Sequence, residues 1–238
     1  MLVASWSLFQ VSWRSCLPLA LLAICATSAP GAESIRSGEG RGLDHGAEWW
    51  GVYIASAVLT LACYGAVLLQ QHTLATGAAL RPFDALRRSF LLLPVTAVCA
   101  ILTTVAVVVG LALLVLPGLA AIVGLCFTWT AVLWEGLGPL QAARRSIALV
   151  RGRFVALAAV FATALAGVLI FLLLAGIFSG VAVSLAEQDA SGIALAVARV
   201  LSLALLALPI IYLSATVVSA YQAVIRQPVI SQPVISQR

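Results

Sequence analysis

The amino-acid sequence predicts an all-α, polytopic integral membrane protein. About six transmembrane helices are expected, with juxtamembrane amphipathic helices on the cytoplasmic side. Hydrophobic residues make up 63% of the 238 residues and charged residues only 9%, whereas an ordinary soluble domain carries roughly 25% charged residues. A soluble fold of this length cannot remove so much apolar surface from water. Long apolar runs, and an uneven distribution of arginine between them, indicate a chain that crosses a bilayer.

The apolar runs define a single predicted transmembrane domain, residues 1–226. A helix needs about 20 mostly apolar residues to cross the hydrocarbon core. The predicted helices lie near residues 16–29, 49–69, 91–116, 119–134, 154–185 and 193–223. Pro117 and Gly118 predict a tight turn between the third and fourth runs. Beyond the domain, a twice-repeated Gln-Pro-Val-Ile-Ser predicts a flexible cytoplasmic tail, residues 227–238.

The first run allows two interpretations. Its short apolar core, followed by small residues at 26–28, is typical of a cleaved signal peptide. Trp6, Phe9 and Trp13 instead occur at helical spacing, which favours an interfacial amphipathic helix leading into an uncleaved first transmembrane helix. We expect the uncleaved helix, although the sequence alone leaves cleavage open.

Arginine is divided unequally between alternate segments. All thirteen basic residues are arginine, a composition that fits a GC-rich bacterial genome. Segments 1–15, 70–90, 135–153 and the stretch after 223 together contain ten arginines and two acidic residues, and the intervening segments 30–48 and 186–192 contain two arginines and six acidic residues. Because short cytoplasmic loops are rich in arginine, this distribution predicts a bacterial inner-membrane protein with both termini in the cytoplasm. The arginines flank apolar runs, so the net charge of +5 points to a lipid bilayer as partner and not to nucleic acid.

A short element occurs twice on the predicted cytoplasmic side. Pro82-Phe-Asp-Ala-Leu-Arg-Arg-Ser-Phe90 recurs fifty-seven residues later as Pro139-Leu-Gln-Ala-Ala-Arg-Arg-Ser-Ile147. Proline suits the first position of a helix, where its missing N–H would be unpaired. Each copy therefore predicts an amphipathic helix lying on the membrane plane. The arginines of the two helices are candidate contacts for anionic lipids or a partner protein: Arg87, Arg88, Arg144, Arg145, Arg151 and Arg153. The alternative is that they only determine topology.

The second copy lies within a longer motif that resembles a known family. The segment Glu135-Gly-Leu-Gly-Pro-Leu-Gln-Ala-Ala-Arg-Arg-Ser-Ile-Ala-Leu-Val-Arg-Gly-Arg-Phe154 is similar to the signature of a bacterial multi-pass family. That family is described as the membrane domain of glycerophosphoryl diester phosphodiesterase, with related YciC-like membrane proteins. The resemblance implies six helices and an uncleaved first one. It carries over no catalytic role, because the phosphodiesterase domain is a separate soluble barrel for which this chain has no room.

The sequence offers no arrangement that predicts an enzyme, a metal site or a cofactor. His45 and His72 fall in opposite predicted loops. The cysteines follow no metal-site or disulfide spacing and are expected to pack as small apolar residues: Cys16, Cys25, Cys63, Cys99 and Cys126. Glu135 is expected to pair with Arg144 or Arg145. The motif Gly176-Ile-Phe-Ser-Gly180 predicts close packing between helices of this chain, with a dimer face as the alternative.

Arg199 is the ionisable residue placed within a predicted span. Such a residue marks a possible polar site in the membrane, although a side chain near a helix end can reach the headgroups. The sequence therefore predicts a non-enzymatic protein that organises lipid or a membrane-protein partner, with a homo-oligomer as one form of partner. The alternative is a small transporter or channel subunit with Arg199 on its path.

Overall fold

The computed structural model describes residues 2–36, 47–78, 80–187 and 192–226, and within these ranges the ordered elements are all helices. They are α1 Leu2–Arg36, α2 Ala47–Ala75, α3 Pro82–Leu91, α4 Leu93–Leu113, α5 Val115–Leu125, α6 Thr128–Glu135, α7 Pro139–Val150, α8 Phe154–Glu187 and α9 Gly192–Arg226. Six stretches are long and apolar enough to cross a membrane: Leu2–Ser28, Trp49–Ala75, Leu93–Leu113, Pro117–Glu135, Phe154–Val181 and Val200–Arg226. The predicted all-α polytopic fold is confirmed. The predicted tail, residues 227–238, lies outside the described residues.

The two short amphipathic helices are present where the duplicated element predicts them. Helix α3 begins at Pro82 and α7 at Pro139. Helix α3 connects the second span to the third, and α7 connects the fourth to the fifth. A left-handed glycine ends the preceding helix α6, since Gly136 has φ 65°, a conformation that glycine adopts without steric cost.

The first span differs from the prediction. Residues before Cys16 do not form a separate interfacial helix but belong to one continuous 35-residue helix, α1. Ser5, Phe9, Ser12 and Cys16 are all buried, at the three- and four-residue spacing that keeps them on one helix face. Phe9 packs edge-to-face on Tyr212 of α9, with ring centroids 5.9 Å apart. The aromatic residues therefore attach α1 to α9.

The hairpin between the third and fourth spans turns earlier than predicted. Leu114 has the extended conformation, φ −167° and ψ 153°, and separates α4 from α5. Pro117 and Gly118 lie inside the first turns of α5, where an N–H has no helical acceptor and proline is tolerated. Gly110 and Gly118 allow the two backbones to touch, because a Cβ on Gly110 would lie 2.9 Å from the Cα of Gly118.

The arginine-rich segments gather at one end of the helix bundle. The hydroxyls of Ser5 and Ser219 lie 2.6 Å apart, which joins the start of α1 to the end of α9. The guanidinium of Arg153 donates to the carbonyl of Val224 at 3.3 Å, which places the start of α8 there as well. We call this region the arginine end. It carries the loops and ends with Arg81, Arg87, Arg88, Arg144, Arg145, Arg151, Arg153 and Arg226. Alternate connections therefore share one end, as the arginine distribution predicts.

Candidate functional site

The two copies of the duplicated element have matching surroundings at the arginine end. Their shared alanine and serine residues are 0–2% exposed: Ala85, Ser89, Ala142 and Ser146. The apolar residues at their second and ninth positions are 43–76% exposed: Phe83, Phe90, Leu140 and Ile147. Each helix thus packs on the bundle through small residues and leaves an apolar edge uncovered. This arrangement is that of a helix lying in a membrane interface.

Ser146 anchors α7 at a break in the fourth span. Its hydroxyl donates to the carbonyl of Gly124 at 2.7 Å and accepts from the backbone N–H of Phe127 at 3.1 Å. Those two backbone groups lie on opposite sides of the interruption between α5 and α6. Unpaired backbone groups in the hydrocarbon region cost several kcal/mol each. The serine side chain therefore makes the break possible in an apolar environment.

The matching serine of the first copy packs differently. A Cβ on Gly65 of α2 would lie 2.4 Å from the Oγ of Ser89. Helix α3 is thus held by close approach to a glycine of the preceding span. The duplicated element predicts two equivalent helices, while the structure gives their serines different contacts.

Glu135 joins the end of α6 to two other helices. Arg145 of α7 donates to its carboxylate, with Nε 3.2 Å from Oε2. Tyr221 of α9 donates its hydroxyl to Oε1. Of the two partners that the sequence leaves open, Arg145 is therefore the one that pairs, and Arg144 stays exposed. The side chains of Arg145 and Glu135 are 45% and 28% exposed, so solvent screens their charge pair.

Aromatic rings surround this contact. His72 stacks on Trp134 with ring centroids 4.0 Å apart, and Trp134 packs edge-on against Tyr221 at 4.9 Å. Sequence reasoning did not connect Glu135 with His72 or Tyr221. The residues Glu135 and Tyr221 are 86 positions apart, and the sequence carries no local pattern that relates them.

The six candidate arginines fall into two groups. Arg145 and Arg153 are engaged by Glu135 and by the carbonyl of Val224. The other four are exposed: Arg87, Arg88, Arg144 and Arg151. Within the described ranges, these four make no hydrogen bond or ion pair to protein. They lie on or beside α3 and α7, close in sequence to the exposed apolar residues of those helices.

The other candidate residues contribute less. Arg199 belongs to α9, but its side chain lies outside the described residues. Cys16, Cys63 and Cys99 are buried, as expected of apolar packing, whereas Cys25 is exposed. No group of three His, Cys, Asp or Glu residues that could hold a metal occurs in the part of the chain that the structure describes.

The glycine motif of α8, Gly176 and Gly180, has no close neighbour among the described residues. A Cβ on Gly176 or Gly180 would meet nothing within 4 Å among the described residues. The described residues therefore show no close packing between helices of this chain at these two positions. Both glycines are exposed on α8.

Comparisons of this chain with protein-family models, with curated proteins and with solved structures find no match. The family resemblance of residues 135–154 therefore stays a prediction.

Proposed function

We propose that this chain is a non-enzymatic protein of the bacterial inner membrane that binds anionic phospholipids at its arginine end. The observation that supports this function is a set of four exposed arginines that have no hydrogen bond or ion pair with other described residues: Arg87, Arg88, Arg144 and Arg151. An arginine near an anionic leaflet contributes about 1 kcal/mol to association. Four such residues beside exposed apolar side chains suit the boundary between headgroups and acyl chains.

The orientation belongs to the same proposal. We assign the arginine end to the cytoplasmic face, with the start of α1 and the end of α9 on that side. The support is the unequal division of arginine between alternate segments, which is nine arginines against two when Arg14 of the first span is left out, and the preference of arginine for cytoplasmic loops. Anionic headgroups of the cytoplasmic leaflet would then face the four arginines.

Lipid retention by paired variants tests this function. The full chain is reconstituted in nanodiscs of phosphatidylglycerol and phosphatidylcholine, extracted, and its bound lipids are measured. Arg88→Gln/Arg144→Gln removes one exposed arginine from each copy. Arg36→Gln/Arg41→Gln is the matched control, because it removes the same charge from a segment in the acidic set.

We expect the first pair to lower the preference for phosphatidylglycerol about fivefold per arginine, since each contributes about 1 kcal/mol. The control pair should retain the wild-type preference. Equal retention of both lipids by the wild-type chain would overturn the proposed function.

A further inference from the structure

An apolar groove lies between α5 and α7 at the arginine end. Its volume is about 410 Å³, and it extends to the start of α8. Ala120, Ala121 and Gly124 form the α5 side, and Ile147 and Val150 form the α7 side. Among the described residues, a Cβ on Gly124 would meet only Ile147, at 4.0 Å. The small residues of α5 therefore leave room for a chain of apolar groups.

One charged side chain, Arg151, belongs to the described residues that line this groove. Arg151 follows the last residue of α7, where its φ of −59° and ψ of 126° end the helix. Its side chain is exposed and has no hydrogen bond or ion pair with other described residues. The neighbouring Arg153 is engaged by Val224. The groove thus combines apolar walls with a cation that forms no ion pair within the part of the chain that the structure describes.

Comparison of the two copies of the duplicated element shows that Arg151 has no counterpart in the first copy. The residue fifty-seven positions before Arg151 is Pro94, in the first turn of α4. The first copy has arginines at the positions of Arg144 and Arg145, namely Arg87 and Arg88, but none after its helix. Arg151 therefore adds a charge that the common element does not supply.

We propose that this groove binds one anionic phospholipid. An acyl chain would lie along Ala120, Ala121 and Gly124, and the phosphate would contact the guanidinium of Arg151. Apolar walls stabilise an acyl chain, and a planar guanidinium donates in a geometry that suits phosphate. A water-soluble anion would gain nothing from the walls. This inference rests on the proposed function and assigns it one specific site.

Native mass spectrometry of the delipidated full chain, titrated with phosphatidylglycerol or phosphatidylcholine, tests the site. Arg151→Gln removes the positive charge, and Arg151→Lys keeps it. Ala120→Phe fills the groove from an exposed position. The matched controls are Arg36→Gln, with the same loss of charge in a segment of the acidic set, and Ala55→Phe, with the same enlargement at an exposed position of α2.

We expect one tightly held phosphatidylglycerol on the wild-type chain. Arg151→Gln should weaken it at least fivefold and remove the preference over phosphatidylcholine, while Arg151→Lys keeps most of it. Ala120→Phe should weaken both lipids. Free glycerol 1-phosphate, the headgroup without chains, should not displace the lipid.

Two results separate failure of this site from failure of the proposed function. If Arg151→Gln and Ala120→Phe bind like the controls while Arg88→Gln/Arg144→Gln loses anionic preference, the groove is not the site and the function stands. If the wild-type chain shows no anionic preference, the function and the site both fail. Displacement by glycerol 1-phosphate would overturn the role of the acyl chain.

Discussion

Ser146 accepts a hydrogen bond from the backbone N–H of Phe127 at 3.1 Å, across the break between α5 and α6. The same hydroxyl donates to Gly124 on the other side of the break. One side chain of α7 thus binds the N–H of Phe127 and the carbonyl of Gly124. In an unbroken helix each of these groups would bond to another backbone group of the same helix. This contact couples the position of α7, with its exposed Arg144, to the bend of the fourth span.

Ser146→Ala should destabilise the protein by about 1–3 kcal/mol, because it leaves the buried N–H of Phe127 without an acceptor. The free energy of unfolding in a mixed detergent titration measures this loss. Ser89→Ala is the matched control: Ser89 is buried at the corresponding position and has no side-chain hydrogen bond among the described residues. Equal losses for the two variants would show that the bridge at Phe127 contributes nothing.

Glu135 and Tyr221 should be energetically coupled. Tyr221→Phe removes the hydroxyl that donates to Glu135 but keeps the ring that packs on Trp134 and Phe127. A double-mutant cycle with Glu135→Gln is expected to give a coupling of about 1 kcal/mol. The partly exposed ion pair of Glu135 with Arg145 should contribute less, because solvent screens it.

Tyr212→Phe provides the control for that cycle, since Tyr212 packs against Phe9 and not at the Glu135 contact. Its coupling to Glu135→Gln should be close to zero. If the cycle of Tyr221→Phe with Glu135→Gln also gave zero coupling, the hydrogen bond between these residues would not contribute to stability.

The hairpin of α4 and α5 should not tolerate a methyl group at Gly118. A Cβ there would lie 2.4 Å from the Cδ2 of Leu111 and 2.9 Å from its backbone nitrogen. Gly118→Ala should therefore lower the free energy of unfolding by about 1–3 kcal/mol through overpacking. A Cβ on Gly180 would have no described residue within 4 Å, so Gly180→Ala should leave the free energy of unfolding unchanged or raise it by up to about 1 kcal/mol. The prediction would be contradicted if Gly180→Ala lowered the free energy of unfolding while Gly118→Ala left it unchanged.

The parts of the fold that the sequence predicts are those determined by residues close together in the chain. Composition and run length predict the six spans, and Pro82 and Pro139 mark the starts of α3 and α7 because proline suits a first helical turn. The break near Cys126 was not predictable, because residues 119–134 contain no charged residue and no proline. The backbone groups at the break are paired by Ser146, a residue of another helix.

The candidate site was predictable only in part. The sequence identified six arginines, but it could not show that Arg145 and Arg153 are engaged by Glu135 and Val224. Those partners come from other helices, and helix packing decides them. The turn lies at Leu114 and not at Pro117 and Gly118, and the close contact of Gly110 with Gly118 that accompanies it is made between two helices.

Reporter fusions should place the arginine end in the cytoplasm. Gly77, in the turn between α2 and α3, is expected to give a fluorescent protein fusion and an inactive alkaline phosphatase fusion. A phosphatase fusion in segment 186–192 should be active, because that segment belongs to the acidic set. A C-terminal fusion serves as the internal check: the end of α9 meets the start of α1 at Ser5 and Ser219, so it must behave like the fusion at Gly77. Phosphatase activity at Gly77 would place the four exposed arginines on the periplasmic side and remove the basis for their contact with the cytoplasmic leaflet.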